Sequence, residues 1–409
     1  MHTNRPAITE GVEQTPCVER PAVSATLPLA LEIVTELGQV EQDWRALEAH
    51  SCNSLHQGFD WCRAWYDKSG EEAIVLRGHR GARTLFLLPL SLRLRHGIRQ
   101  AGFPGGRYNN LNTGLFATDF APSDEEQREI ATRLKSLLRG RADMIVLEAV
   151  PREWRGHRHP LASLAVQEHA NHSFQLPLFA RFEETLAQIN AKRRRKKFRV
   201  QTRRMEEIGG YDYITPQTAA ERHALLDLFF QQKSVRFRTQ GLPDVFADAK
   251  VRAFLHALLD VPPEGGNHPL VLHAIRLRRG GEKDIPAIAG LSRKGDHIIC
   301  QFGSIDESRV PDTSPGELLF WHMIEEACGQ GAALFDFGVG DQLYKRSWCP
   351  VETVQYDIVL PVSRKGQLAA RAHTAVTRAK AAIKRNPLLY RMLQRIRSAQ
   401  ATTPSDRDD

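Results

Sequence analysis

The stretch TSPGELLFWHMIEEACGQGAALFDFGVGDQLYKRSW, residues 313–348, combines a helix start, an apolar helix, a short strand and a glycine-containing turn. Ser314 is a typical N-cap residue, and Pro315 suits the first helical position, where no N–H is needed. Glu317 stands at capping-box spacing from Ser314. Because Gly316 has no Cβ, the free N–H groups at this helix start are predicted to be open to a phosphate. The same pattern also describes a capped helix that binds nothing.

The strand ALFDFG that follows the helix contains one carboxylate, Asp336, between two phenylalanines. An isolated buried charge is costly, so Asp336 is predicted to have a defined partner or a defined task. The partner would be a nearby cation, Lys345 or Arg346. The task would be catalysis or substrate binding.

Two glycines and a Tyr-Lys pair follow this strand. Gly338 and Gly340 allow the chain to turn sharply and to approach a ligand closely. Tyr344 and Lys345 come next. A helix start, a strand end and a lysine are therefore expected to lie close together.

The segments upstream of residue 313 predict the sheet that this stretch joins. Apolar runs at 270–277, 285–292 and 297–305 are separated by glycine-containing turns, which is typical of an antiparallel meander. The first half repeats the order more weakly, with strands at 71–79 and 84–95, then a helix and a strand at 143–150. Ser123 and Glu126 have capping-box spacing at the start of that helix.

The two copies of this order predict a mixed α/β chain with two tandem units, each a mostly antiparallel sheet flanked by helices. We assign residues 1–27 to a flexible leader, 28–175 to the first unit, 176–361 to the second unit and 362–409 to a basic helical tail. The glycine-rich stretch from Gly102 to Gly106, with Arg107, Tyr108, Asn109 and Asn110 after it, is predicted to line an acceptor cleft between the units.

Composition points to a globular protein, with 42% hydrophobic and 25% charged residues. No run approaches the roughly 20 apolar residues of a membrane span, and the N-terminus has no apolar signal region, so we expect a cytoplasmic protein. The cysteines form no C-x-x-C pair, and they are expected to be reduced thiols rather than disulfides or metal ligands. They are Cys17, Cys52, Cys62, Cys300, Cys328 and Cys349.

Basic residues are concentrated in two places. Residues 362–409 contain eleven Lys and Arg against three Asp, which accounts for the whole net charge of +8. Such a tail fits an anionic membrane face, or it packs on the body of the protein as an ordinary basic helix. Nine cations lie between Lys192 and Arg204, and they predict either a solvated helix or a contact with a phosphate-bearing substrate. Lys233 and Arg236, after an apolar helix, are candidates for binding an anionic acceptor or cofactor.

Three features together resemble the GNAT superfamily, and in particular its branch of BioF2-like acetyltransferases related to the cellulose-biosynthesis protein CelD. They are Ser-Pro-Gly before an apolar helix, the strand end Phe-Asp-Phe-Gly-Val-Gly followed by Tyr-Lys, and the basic segment from Asn190. The resemblance covers roughly residues 30–360. Similar proteins carry two GNAT-like units, as the FemAB-type aminoacyltransferases do.

The resemblance implies an acyltransferase that moves an acyl group from acyl-CoA to an amine or hydroxyl acceptor, possible acceptors being small molecules or glycans of polysaccharide or envelope biosynthesis. It places the cofactor diphosphate at Ser314, Pro315 and Gly316, near Gly338 and Gly340. Under this reading Asp336 is the base or acceptor anchor, Tyr344 donates a proton to the leaving thiolate, and Lys345 stabilises charge or pairs with Asp336. No metal is implied. The alternatives are FemAB-like transfer from aminoacyl-tRNA and an inactive double-GNAT binding scaffold.

Overall fold

The structure, a computed structural model, describes residues 27–165, 167–280 and 284–385. Its strands build two large mixed sheets, and helices cover their faces. The helices are α1 (Glu41–Glu48), α2 (Phe59–Ser69), α3 (Asp124–Leu137), α4 (Phe182–Ala187), α5 (Ala191–Glu207), α6 (Ala219–Thr239), α7 (Ala249–Asp260), α8 (Pro315–Gly329), α9 (Leu343–Trp348) and α10 (Arg364–Arg385).

The strands alternate with these helices along the chain. They are β1 (Ala30–Val34), β2 (Glu72–Arg80), β3 (Arg83–Arg95), β4 (Ile98–Gly102), β5 (Leu115–Phe116), β6 (Met144–Pro151), β7 (Glu153–Trp154), β8 (His157–Arg158), β9 (Gln167–Glu168), β10 (Ser173–Pro177), β11 (Tyr211–Ile214), β12 (His268–Leu277), β13 (Ala287–Lys294), β14 (His297–Ile305), β15 (Leu334–Val339), β16 (Val351–Thr353) and β17 (Gln355–Pro361).

The two sheets have the same plan. The first has the strand order β1-β2-β3-β4-β6-β17-β9, with β5 paired to β3, and the second has the order β11-β12-β13-β14-β15-β10-β16. In each, one central pair is parallel, β4 with β6 and β14 with β15, and the neighbouring pairs are antiparallel. The predicted α/β class with two tandem, mostly antiparallel units is confirmed, as is the meander of β12, β13 and β14.

Strand β17 belongs to a different sheet from the one that the sequence-based division of the chain predicts. It lies in the range 176–361 that was assigned to the second unit, yet it pairs with β6 and β9 in the first sheet. Its Ile358 is fully buried in the core on that side, and the Asp357 carboxylate accepts the Ala149 N–H of β6 at 3.1 Å. Local pattern shows that a segment is a strand but not which sheet it completes. Strand β10 enters the second sheet at Ser173, slightly before the predicted start at residue 176.

Two hydrophobic clusters fill the described part of the chain, one that spans both halves and one that belongs to the second half. Trp61 and Trp65 of α2 pack edge-on against Phe254 of α7, with ring centroids 5.2 and 5.1 Å apart. Phe229 of α6 packs on Phe302 of β14 at 4.2 Å. Because apolar contact continues from one half into the other, the halves form a single packed body.

Helix α10 packs on the first sheet and keeps an outer face in solvent. Gly366 lies against the Asp143 carbonyl, where a Cβ would meet the oxygen at 1.7 Å. Arg364, Leu368, Arg371 and Arg378 are exposed along the other face. No helix within the described ranges is both long and apolar enough to cross a membrane. The predicted continuation of the tail beyond residue 385 and the leader before residue 27 lie outside the described residues, as does Cys17.

Cysteines in the described part of the chain are free thiols. Cys62, Cys300, Cys328 and Cys349 are buried, and Cys52 is half-buried. Burial raises the pKa of Cys300 to about 12, so its thiol stays protonated at neutral pH. Across residues 27–165, 167–280 and 284–385 no group of three or more His, Cys, Asp or Glu side chains is arranged to hold a metal ion.

Candidate functional site

Strands β14 and β15 separate in the middle of the second sheet. They pair in parallel over three positions only, ending at Ile299 opposite Asp336. A β-bulge follows, because Leu291 of β13 pairs with Cys300 and Gly290 pairs with Phe302, which leaves Gln301 as the extra residue. The two strands then diverge. We call the gap between them the second splay, because it lies in the second sheet. It leaves backbone groups at the sheet centre without a strand partner.

Asp336 is fully buried at the start of the second splay. Its Oδ1 accepts the Gly338 N–H at 2.7 Å, and its Oδ2 accepts the Gln175 side-chain amide at 3.1 Å. The His297 Nε2 lies 3.5 Å from Oδ2. These contacts tie the carboxylate to the turn after β15 and to the neighbouring strand β10.

Neither predicted cation is the ion-pair partner of Asp336. Arg346 instead pairs with Asp341 at 2.5 Å and with Glu352 at 3.1 Å, both on the surface. Lys345 is 5% exposed, and its ammonium donates to the carbonyl oxygens of Gly338 at 3.1 Å and Val339 at 2.9 Å. The pairing hypothesis for Asp336 is therefore wrong, because backbone and amide groups satisfy the carboxylate.

Lys345 is a buried ammonium beside the second splay. An ammonium has three donors, and the two carbonyl oxygens take two of them. Burial lowers the pKa of Lys345, while the neighbouring Cys300 and Asp336 act in the opposite direction.

Tyr344 lies beside Lys345 on α9, and its ring covers the edge of the second splay. It stacks on Phe320 of α8 with centroids 5.4 Å apart and lies 6.3 Å from Phe337 of β15. The apolar surroundings raise the pKa of Tyr344, although 40% of the residue is exposed. The phenol is therefore protonated at neutral pH.

Gly338 and Gly340 form the predicted chain reversal, with φ of +72° and +117°. Beside Gly338, however, lies Asn110 from the first half rather than open space. A Cβ on Gly338 would lie 2.3 Å from the Asn110 Oδ1. The close approach that the glycine permits is thus to another part of this chain.

At the start of α8, where a phosphate site was predicted at Ser314, Pro315 and Gly316, other parts of the chain fill much of the space. The Ser314 N–H donates to the Gln201 side chain at 2.8 Å. The position that a Cβ would take on Gly316 is 2.5 Å from the Ile305 Cδ1, and both Pro315 and Gly316 are buried. The glycine at this position makes room for an isoleucine, so it is no evidence for a diphosphate.

Glu317 does not form the predicted capping box with Ser314. Its carboxylate binds Arg194 at 2.6 Å and Lys197 at 3.1 Å, both on α5. The guanidinium of Arg194 also lies 4.0 Å from the Trp348 ring centroid, and Phe198 stacks on Trp321 at 4.2 Å. One face of the basic helix is therefore docked on α8 and α9.

The opposite face of α5 is exposed and cationic. Arg204 reaches the Asp312 carbonyl in the loop before α8. The exposed cations are Lys192, Arg193, Arg195, Lys196, Arg199, Arg203 and Arg204.

Lys233 and Arg236 lie on α6, one turn beyond Phe229. Since Phe229 packs on Phe302, residues on the same face of α6 point toward the end of β14. Burial lowers the pKa of Lys233 to about 8, with Arg236 contributing in the same direction. Lys233, Tyr344 and Lys345 all interact electrostatically with Cys300. Three of the predicted residues, Asp336, Tyr344 and Lys345, thus lie at the second splay, and Lys233 lies on α6, the helix that packs on β14.

Sequence reasoning missed Gln301 and His56, which lie with the predicted cleft residue Asn110 at the back of the second splay. Gln301 accepts from the Asn110 side chain at 3.0 Å and donates to Ser292 at 2.9 Å. His56 accepts the Asn110 backbone N–H at 3.3 Å. The polar run Asn109, Asn110, Asn112 within an apolar half was the available signal, and only its first two members were singled out.

Comparisons with known proteins show which domain and which fold the chain is similar to. Residues 192–346 match the family model described as an acetyltransferase (GNAT) domain. A search of curated proteins found no match to the sequence. The crystal structure of FemX superposes with a TM-score of 0.57 at 13% identity, over 83% of this chain and 100% of that chain.

Two further solved structures resemble the chain more weakly. The C-terminal domain of a putative lysylphosphatidylglycerol synthetase from Agrobacterium fabrum has a TM-score of 0.48 at 9% identity, over 83% of this chain and 97% of that one. A tandem GNAT protein from the clavulanic acid biosynthesis pathway has a TM-score of 0.45 at 10% identity, over 82% and 99%. The matched domain contains β14, β15 and the Tyr-Lys pair. Residues 192–346 therefore match a GNAT acetyltransferase domain that contains the second splay, and the chain as a whole has a fold similar to that of FemX.

Proposed function

We propose that the second splay catalyses transfer of an acyl group from a thioester, acyl-CoA, to an amine or hydroxyl acceptor. The observation that carries the proposal is the buried Lys345 ammonium, held on two backbone carbonyl oxygens beside Tyr344. Attack on a thioester creates a tetrahedral intermediate with a negative oxygen. A fixed cation in a site sheltered from water stabilises that oxygen strongly.

In this proposal Lys345 supplies charge stabilisation with its remaining donor. The carbonyl oxygens of Gly338 and Val339 fix the ammonium in place before the reaction, so little reorganisation is needed as charge develops.

Tyr344 acts as the proton donor to the leaving thiolate. A phenol is protonated at neutral pH, which is the form that can donate. Stacking on Phe320 fixes the ring at the edge of the second splay.

Asp336 has a positioning task rather than that of a base. Both of its oxygens accept hydrogen bonds from the protein, one of them from the Gly338 N–H. Gly338 in turn supplies a carbonyl to Lys345. Asp336 therefore supports the turn that holds the ammonium.

The anionic carrier of the acyl group is proposed to lie along the exposed face of α5, since the start of α8 is occupied by Gln201 and Ile305. The same cationic face favours a second candidate function, transfer from aminoacyl-tRNA. A polyanion that crosses many exposed cations binds with a strong dependence on salt. Lys233 and Arg236, at the end of β14, are proposed to bind the acceptor.

The outer face of α10 is proposed to contact an anionic membrane surface. Residues 362–385 contain no Asp or Glu, and Leu368 and Val376 are 68% and 51% exposed between the cations. Each basic residue near such a surface contributes about 1 kcal/mol. Cosedimentation with phosphatidylglycerol vesicles at low salt, and its loss in Arg371→Glu/Arg378→Glu, would support this, whereas equal binding to phosphatidylcholine vesicles would argue against it.

The donor can be identified by thermal unfolding. Acetyl-CoA, a longer acyl-CoA and charged tRNA are added separately to the full chain at low and moderate salt. A ligand at 100 times its Kd stabilises the folded state by about 2.7 kcal/mol, which raises the midpoint measurably. A midpoint raised by the thioesters supports the first candidate, and one raised by charged but not uncharged tRNA supports the second.

Chemistry is tested by release of free CoA from acetyl-CoA, measured by mass spectrometry with a panel of amines and hydroxyl compounds. Tyr344→Phe should slow release by roughly 100-fold or more while leaving the ligand-induced rise in midpoint intact. If the wild-type protein binds neither thioester nor charged tRNA, the catalytic proposal is abandoned in favour of a binding scaffold.

A further inference from the structure

The gap between β14 and β15 is spanned by a side chain from the other half of the protein. Asn110 follows β4 in the first half and reaches into the second splay. Its Oδ1 accepts the Val339 N–H of β15 at 3.0 Å. Its Nδ2 donates to the Gln301 side chain at 3.0 Å and lies 3.4 Å from the Cys300 carbonyl of β14.

The carboxamide of Asn110 thus takes the place of a peptide group between two strands that no longer pair. The backbone of Asn110 is also held by hydrogen bonds. The Asn110 carbonyl accepts from Gln355 at 2.9 Å and from Ser173 at 3.4 Å, and its N–H donates to His56. Every polar atom of Asn110 is therefore in a hydrogen bond, and the residue cannot shift without breaking several.

The turn that Asn110 binds is the one that holds Lys345. Asn110 bonds the N–H of Val339, and Lys345 bonds the carbonyls of Gly338 and Val339. The missing Cβ of Gly338 is what lets Asn110 approach. We propose that Asn110 is a positioning residue contributed by the first half, which fixes the Gly338–Val339 turn and thereby the ammonium of Lys345 in the second half.

The effect of Asn110 on catalysis rests on the proposed function. The positioning of the Lys345 ammonium does not, because it can be measured without a substrate. The probe is the titration of Lys345 in protein carrying isotopically labelled lysine, followed by NMR and assigned with Lys345→Arg. Lys294 is an internal reference, because it is a half-buried lysine whose pKa is lowered by burial to about 8. Its ammonium donates to the His50 and Asn53 carbonyls, away from Asn110.

Asn110→Asp keeps the size of the side chain and the acceptor for Val339, and it adds a negative charge one peptide unit from the ammonium. The pKa of Lys345 should rise by about 1, while Lys294 stays unchanged. The matched control is Asn112→Asp, on the same loop but facing the first sheet, where its side chain bonds the Glu148 carbonyl. An unchanged Lys345 in Asn110→Asp, or an equal rise in Asn112→Asp, would overturn the inference.

Asn110→Ala provides a second measurement that does not depend on the added charge. Loss of the acceptor for Val339 should speed amide hydrogen exchange over residues 334–348 at least tenfold relative to residues 287–294. Asn112→Ala should leave that ratio unchanged. If amide exchange over residues 334–348 is equal in Asn110→Ala and wild type, Asn110 does not fix the Gly338–Val339 turn, and the inference is wrong.

Discussion

The first and second sheets contain the same gap, closed in two different ways. In the first sheet β4 and β6 pair in parallel as far as Gly102 opposite Val146, and Glu148 and Ala149 follow. In the second sheet the pairing ends at Asp336, and Gly338 and Val339 follow at the same spacing. In both places two backbone carbonyls are left beside the gap.

The difference lies in what these carbonyls bind. Those of Glu148 and Ala149 accept from the side chain and backbone N–H of Asn112, at 2.9 and 3.2 Å. Those of Gly338 and Val339 accept from the Lys345 ammonium. A neutral amide closes the first gap, and a buried cation is held at the second. Under the proposed function, the first half has a stabilising part and the second half carries the chemistry.

The largest expected effect separates those two parts. Lys345→Met should lower the rate of acyl transfer by 100-fold or more, about 3 kcal/mol, because a fixed donor to the oxyanion is lost. Asn112→Ala should instead destabilise the fold by about 1–3 kcal/mol, because the Glu148 carbonyl loses its side-chain donor and the buried Gln57 and Asn109 amides lose their acceptor. CoA release and urea unfolding of both variants measure this. The assignment of stability to the first half and of chemistry to the second is wrong if Asn112→Ala abolishes turnover in a folded protein. It is also wrong if Lys345→Met leaves turnover intact.

Backbone conformation at the two gaps gives a second contrast. Gly338→Ala should cost about 2–4 kcal/mol, since its φ is +72° and its Cβ would collide with Asn110. Ala149 already has a φ of +56° in the first sheet, so Ala149→Gly should change stability by less than about 1 kcal/mol. Thermal unfolding of the two variants compares them, and similar losses would contradict the contact with Asn110.

Two buried histidines provide a pH test of the comparison. Burial lowers the pKa of both His56, next to the second splay, and His159, in the first half, to about 4. Because the unfolded chain binds a proton near pH 6.5 and the folded chain does not, stability is lost as pH falls from 6.5 toward 4. Each histidine should cost about 2 kcal/mol between pH 7 and pH 5.

Urea unfolding at the two pH values measures this slope. His56→Gln and His159→Gln should each reduce it by a similar amount. A slope unchanged in either variant would mean that the histidine is not neutral in the folded state.

The smallest expected effect compares the helices that precede β6 and β15. Ser123 caps α3 and forms a full capping box with Glu126, so Ser123→Ala should cost about 1 kcal/mol. Ser314 makes no side-chain cap at α8, so Ser314→Ala should cost less than about 0.5 kcal/mol. Thermal unfolding of both variants measures the two losses of stability. Equal losses would contradict the difference between the capped start of α3 and the uncapped start of α8.

Local sequence signals predicted the elements well and the contacts between them poorly. The capping box at Ser123, the meander and the apolar face of α8 at Leu319, Met323 and Ala327 depend on residues close in sequence, and the structure confirms all three. Asp336 was correctly singled out as a buried carboxylate, but its partner Gln175 is 161 residues away. Periodicity and spacing contain no information on such a pair.

The two glycine predictions show why the ligand site was only partly found. Gly316 and Gly338 were each read as places where a ligand approaches the backbone. Ile305 lies against the first, and Asn110 lies against the second. A glycine indicates that another group lies close to the backbone at that position. The sequence alone does not say whether this group belongs to a ligand or to the protein.

The position of β17 bears on how the chain is synthesised. Strand β6 is buried and apolar, and on one side its neighbour is β17, whose last residue is Pro361. Ribosomes add about 5–20 residues per second, so the first half has left the exit tunnel many seconds before this neighbour is made. During that interval β6 has an open edge, which is the kind of surface on which strands of other chains can pair.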